Sequence, residues 1–184
     1  RDSPPVSLPG IGPSTNVLGC FDTNLLCVWN GTNQILVGEL RGAEFVQRGA
    51  IAVDSGMRPT GFAYNPARQL LAWTEGTSST SLYLASLAAQ GRRIELKCDV
   101  PGLVRLRFSE DGDYLAAWPK EWRMWDTLRV WNVETGQIVV SINQRFSTAT
   151  FAAGGRVLVV PIQAIQARIG DEHEIRFFDL AHPD

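Results

Sequence analysis

Histidine is almost missing from this chain: its 184 residues include two, His173 and His182. Chemistry that relies on a histidine base beside a nucleophile and an orienting group has little to work with. Cysteine is scarce too, with Cys20, Cys27 and Cys98 forming an odd set, and nothing marks the chain for secretion. A basic excess is lacking, since 17 Lys and Arg stand against 19 Asp and Glu for a net charge of −2. Without a basic field to draw in phosphates, nucleic acid is not an expected partner. No apolar run approaches the roughly 18 to 20 residues of a spanning helix, and no signal peptide is recognisable, so no membrane span is expected. The expected compartment is the cytoplasm. What remains, 45% apolar and 20% charged residues, is an ordinary soluble globular composition on a chain long enough to bury a core.

The motifs of catalysis are absent in the same way. No G-x-S-x-G elbow accompanies either histidine. His173-Glu174 is followed by Arg176 and Phe177, so the H-E-x-x-H zinc helix is not formed. Asp171, Glu172 and His173 could gather a cation, but three consecutive polar residues in a loop are normally just solvated. Glu110-Asp111-Gly112-Asp113 lacks the ligand spacing of a calcium loop and reads as a hairpin turn. No glycine loop of the phosphate-cradling kind occurs. No catalytic residue, no cofactor and no metal are expected, and the chain itself is not expected to be an enzyme.

Alternation is what the sequence has in quantity. From Gly102 to Ile142, Val104, Leu106 and Phe108 alternate with Arg105, Arg107 and Ser109, and turn formers follow at Glu110 to Asp113. That pattern predicts a strand and a hairpin. Further runs at Tyr114 to Trp118, Thr127 to Val133 and Gln137 to Ile142 complete a four-stranded antiparallel meander. The unit repeats. Aromatic or equivalent positions at Phe21, Tyr64, Phe108 and Phe151 are 43, 44 and 43 residues apart. Second strands led by Leu26, Leu71, Leu115 and Leu158 keep spacings of 45, 44 and 43, and third strands led by Ile35, Leu82, Leu128 and Ile175 keep 47, 46 and 47. The third strands are expected at Gln34 to Leu40, Ser81 to Leu87, Thr127 to Val133 and Glu174 to Leu180.

Phe108-Ser109-Glu110-Asp111-Gly112, then Leu128-Arg129-Val130-Trp131-Asn132-Val133-Glu134-Thr135-Gly136, and more loosely Ile175-Arg176-Phe177-Phe178-Asp179-Leu180, resemble the WD-repeat-like β-propeller family. The resemblance covers most of the chain from Asn16 on, and a period of about 40 to 45 residues fits one such blade. It implies an all-β fold: a β-propeller of four-stranded antiparallel blades, about four in number or part of a larger propeller. The blades would span about 16–58, 59–101, 102–144 and 145–184. The family's Gly-His pair ahead of the first strand is missing from every repeat, which implies blades held by packing more than by its hydrogen-bond network. Propellers have about four to eight blades, and the chain starts at Arg1 rather than methionine. A piece of a longer polypeptide is therefore expected.

Residues 1–15 hold four prolines and read as a linker, or as the source of an edge-closing strand at Val6 to Leu8, because little chain follows Leu180 to supply the last blade with a fourth strand. Either that segment or a partner chain is expected along Ile175 to Phe177. Cys20 and Cys27 flank the Thr23-Asn24 turn, which allows a cross-strand disulfide or two buried free thiols. Asn30-Gly31-Thr32 matches a glycosylation acceptor but is first of all a hairpin turn. Trp118 is expected in the core.

Two connections are long, Pro119 to Asp126 and Pro161 to His173, and in a propeller they would emerge on the face that also carries the links between blades. The first holds Trp122, Arg123, Met124 and Trp125, and the second holds Arg168. Trp, Met and Arg concentrate in interface cores and hot spots, so these five residues are the candidate partner-binding set, although the tryptophans could instead fold back and cap their own blade. The expected function is a non-catalytic interaction scaffold that binds another protein or another domain of the same polypeptide. The alternative is the propeller portion of a hydrolase or kinase-linked enzyme whose catalytic residues lie outside this chain.

Overall fold

A computed structural model describes residues 16–21 through their backbone, and 25–42, 44–53, 57–76, 80–88, 93–120, 127–162 and 174–182 in full. The all-β expectation holds over these residues, whose helical content is one 3-10 turn, Ala153–Gly155. Sheet one joins β1 (Asn16–Phe21), β2 (Leu25–Trp29), β3 (Gln34–Arg41) and β4 (Glu44–Ala52). Sheet two joins β5 (Pro59–Asn65), β6 (Leu70–Glu75), β7 (Ser81–Ser86) and β8 (Arg93–Lys97). Sheet three joins β9 (Leu103–Phe108), β10 (Tyr114–Pro119), β11 (Thr127–Asn132) and β12 (Ile138–Asn143). Sheet four has three described strands, β13 (Thr150–Ala152), β14 (Val157–Ile162) and β15 (Glu174–Asp179). Every neighbour is the next strand in sequence, and every pairing is antiparallel.

Side chains close the turns between these strands. After β9, the Ser109 hydroxyl donates to Asp111 Oδ1 at 2.6 Å and the Asp113 N–H donates to the same oxygen at 3.0 Å, while Gly112 takes a φ of +77°. After β11, the Asn132 side-chain oxygen accepts the N–H groups of Glu134 and Thr135 at 3.0 and 2.9 Å. After β2, Asn30 Oδ1 accepts from the N–H groups of Thr32, Asn33 and Gln34 at 3.0 to 3.1 Å. Asn30-Gly31 is thus a turn. Glu110 to Asp113 is likewise a turn.

Sheets one to four stack face to face in series, and alternate residues of each inner strand supply the two sides. On β6, Leu71 and Trp73 enter the core shared with sheet one, while Ala72 enters the core shared with sheet three. On β10, Leu115 and Ala117 face sheet two, and Ala116 and Trp118 face sheet four. Trp118 is in the core, as the sequence suggests. Burial on both faces is why these strands read as near-continuous apolar runs rather than a strict alternation. Burying one such Leu or Ile side chain contributes about 1.5 to 3 kcal/mol.

First strands lie side by side. β5 contacts both β1 and β9, and Arg107 of β9 donates to Thr150 Oγ1 of β13 at 3.0 Å. Gly61 permits the closest approach, since a Cβ there would stand 2.4 Å from the Val104 carbonyl oxygen. Asn65, buried at the end of β5, reaches the next sheet by donating to the carbonyl oxygens of Ser109 and Glu110, both at 3.0 Å. Tyr114 repeats the link one sheet on, with its hydroxyl donating to the Leu180 carbonyl at 2.8 Å.

The disulfide alternative fails for Cys27, which is a buried free thiol. Backbone register explains this: Phe21 pairs with Leu25 beside the turn, so Cys20 falls opposite Leu26 and Gly19 opposite Cys27, one residue out of step for a cross-strand bond. Burial pushes the Cys27 thiol up to about 12. Val6 to Leu8 lies outside the described residues.

Candidate interaction site

Connections from second to third strands meet the links between sheets at one end of the stack. Val53 N–H donates to the Asn33 carbonyl at 2.8 Å, Gly76 to Arg58 at 3.0 Å, Cys98 to Thr80 at 2.8 Å and Ser147 to Pro161 at 3.3 Å. This follows from the meander, in which strands one and three run the same way. Trp122, Arg123, Met124, Trp125 and Arg168 lie outside the described residues, as do Asp171, Glu172 and His173. Their flanks are described: one connection leaves Pro119 and returns at Thr127, and the other leaves Ile162 and returns at Glu174.

Two residues into β11 from Thr127 sits a polar anchor that composition does not reveal. Arg129 is buried on β11 and donates from Nε and Nη2 to the two Asp99 oxygens at 2.9 and 2.8 Å, and from Nη1 to Asn143 Oδ1 at 2.9 Å. The guanidinium is thereby held through all three of its nitrogens and ties the link between sheets two and three to β11 and β12. Its hydrogen bonds hold the Asp99 carboxyl below the ordinary range. Beside it, burial raises the Cys98 thiol, so that sulfur is a neutral side chain and not an activated nucleophile. A second knot lies in sheet two, where the Trp73 indole N–H donates to the buried Glu75 at 3.0 Å and the Arg93 guanidinium stacks 3.5 Å from the Tyr83 ring centroid. Among the described residues no three His, Cys, Asp or Glu side chains stand together as metal ligands, and no helix is long and apolar enough to cross a membrane.

The last sheet exposes what its predecessors bury. Ile35, Leu82 and Leu128 occupy one position of the repeat and are 0, 1 and 0% exposed beneath the following sheet, whereas Ile175, at the same position, is 55% exposed. Two residues on, Val37, Leu84 and Val130 are at most 1% exposed, and Phe177 is 69% exposed. No described core cluster joins sheet four back to sheet one. This trailing face was within reach of the sequence, since the repeat spacing that groups Ile175 with Leu128 also predicts that something should cover it.

No family model matches the chain, and no curated protein matches it. Among solved structures it resembles a chain of Kuenenia stuttgartiensis hydrazine synthase, with a TM-score of 0.57 and 11% identity over 86% of this chain and 48% of that one. The chain thus spans about half the length of that neighbour. At that identity the likeness is one of fold and carries no activity across.

Proposed function

We propose that this chain is a non-catalytic protein-interaction scaffold, formed by four blades of a WD-repeat-like β-propeller with more than four, and carried in a longer multidomain protein or a complex. One observation carries the reading: Ile175 and Phe177 are exposed where the equivalent residues of three preceding sheets are sealed by the next sheet. An uncovered apolar sheet face on a water-soluble domain calls for a cover, and serial sheets around adjacent first strands favour a further blade. Residues 16–58, 59–101, 102–144 and 145–184 are the four blades in this reading. Trp122, Arg123, Met124, Trp125 and Arg168 bind the partner, which is another protein or another domain of the same polypeptide. Arg129, locked by Asp99 and Asn143, gives the first of their two loops a rigid base. The free thiol of Cys27 suits a reducing compartment, the cytoplasm.

The test compares the parent chain with Trp122→Ala, Trp125→Ala and Phe177→Asp as baits for quantitative capture, with a melting curve of each. Loss of the same captured protein in the tryptophan variants at unchanged melting temperature supports the loop face, with about 2 kcal/mol or more of binding lost at a hot spot. A fall in stability of about 3 to 5 kcal/mol in those variants means instead that the tryptophans are core residues, and refutes it. Equal capture by all four baits sinks the reading as a whole.

A further inference from the structure

The Asn30-Gly31-Thr32 stretch carries a chemistry that its role as a turn does not use up. Asn30 Oδ1 accepts four hydrogen bonds, from the N–H groups of Thr32, Asn33 and Gln34 at 3.0 to 3.1 Å and from the Thr32 hydroxyl at 3.0 Å. The bond from the Thr32 N–H closes an Asx-turn, a ring the size of a backbone turn that contains both the Asn30 carboxamide carbon and the Gly31 nitrogen. Gly31 takes a φ of +84° and has no side chain to shield that nitrogen. No described residue accepts its N–H or bonds to Asn30 Nδ2. The nitrogen that could attack and the amide that could depart are thus both unengaged, while the carbonyl oxygen between them is held fast.

We propose that Asn30 is a self-modifying site, whose carboxamide is converted through a succinimide to aspartate or isoaspartate. The Gly31 N–H gives its proton to water, its nitrogen bonds to Cγ, and the charge passes to Oδ1. Four donors already surround that oxygen, and hydrogen bonds to an oxyanion are about twice as strong as those to a neutral carbonyl. The turn therefore stabilises the tetrahedral state more than the starting amide. Nδ2 then takes a proton and leaves as ammonia, and water opens the ring at either carbonyl. The other described asparagines each lack a part. Asn132 has a similar cap, accepting from the N–H groups of Glu134 and Thr135 and from the Thr135 hydroxyl, but the next nitrogen, that of Val133, donates to the Asp113 carbonyl at 2.8 Å and carries a branched side chain. After Asn33, the Gln34 N–H is spent on Asn30 itself. After Asn65, Pro66 has no N–H. Asn143 turns its oxygen to Arg129 rather than to a run of N–H groups. The product places a carboxylate, and in isoaspartate a main chain routed through Cβ, at the end of the stack where the Val53 N–H meets the Asn33 carbonyl.

Peptide mapping of the full chain after incubation at mildly alkaline pH tests this, with the synthetic peptide of residues 28–36, Val-Trp-Asn-Gly-Thr-Asn-Gln-Ile-Leu, as the same chemistry without the fold. Aspartate and isoaspartate are expected at residue 30, and the folded chain should convert at least as fast as the peptide. Thr32→Val removes one of the four donors to Oδ1 and should slow the folded chain about 5-fold, while the same change in the peptide has no such effect. An Asn30 that converts more slowly in the folded chain than in the peptide means that the turn protects the amide instead of activating it, and overturns the proposal. So does conversion of Asn132 at the same rate as Asn30, or an unchanged rate in folded Thr32→Val. None of these outcomes depends on Trp122 or Trp125, so the loop face stands or falls separately.

Discussion

Replacing Gly61 by alanine tests the contact on which the stacking of sheets two and three depends. An added Cβ meets the Val104 carbonyl oxygen at 2.4 Å, its carbon at 2.9 Å and Thr74 Oγ1 at 2.9 Å. Ordinary carbon-to-oxygen contacts lie at about 3.3 to 3.6 Å, so β5 and β9 must part by about 1 Å. The obstacle is backbone, which cannot swing aside like a side chain. We therefore expect a cost at the upper end of overpacking, about 3 kcal/mol, or a fall of about 6 to 12 °C in melting temperature for a chain of this length. Two controls separate sterics from backbone strain. Gly49→Ala meets nothing nearer than Leu87 Cδ2 at 3.7 Å and should stay within about 0.5 kcal/mol of the parent. Gly76→Ala has open space but a φ of +73°, and should cost about 1 to 2 kcal/mol. Thermal and urea unfolding of the three variants should rank Gly61 worst, Gly76 next and Gly49 least. If Gly61→Ala melts with Gly49→Ala, sheets two and three do not approach through this glycine and the stacking described is wrong.

Asn65→Ala strips two donors from the Ser109 and Glu110 carbonyls and an acceptor from the Arg68 N–H, and should cost about 2 to 3 kcal/mol in urea unfolding; a loss under about 0.5 kcal/mol would show that the amide does not couple the sheets. Asp99 has a carboxyl held below the ordinary range by Arg129. The stability it contributes is present above the unfolded carboxylate value of about 3.9 and disappears as pH falls through the lower folded value. Asp99→Asn should therefore flatten that part of the acid limb and cost about 1 kcal/mol at pH 7, the exposure of the carboxylate keeping the figure small. Parallel stability curves for the variant and the parent across pH 2 to 5 would contradict the pairing.

Side-chain periodicity and turn chemistry are local properties, and they determined the strands from sequence alone. The predicted runs at Tyr114, Thr127, Gln137 and Glu174 lie within one residue of β10, β11, β12 and β15, because alternation and the Asn132 and Asp111 caps act over a few residues. Trp118 in the core and the turn at Asn30 were legible for the same reason. Pairings across the stack were not. Arg129 and Asp99 are 30 residues apart, and Asn65 and Ser109 are 44 apart, so nothing in either neighbourhood distinguishes a buried, fully bonded arginine from a surface one. The lone thiol of Cys27 belongs with these, since the register set by the Phe21–Leu25 pair decides which residue it faces. The exposed pair on sheet four marks the boundary between the two kinds of information. Repeat spacing placed Ile175 level with Ile35, Leu82 and Leu128, but only the packing of one sheet on the next decided that three of these are sealed and the fourth is open to water.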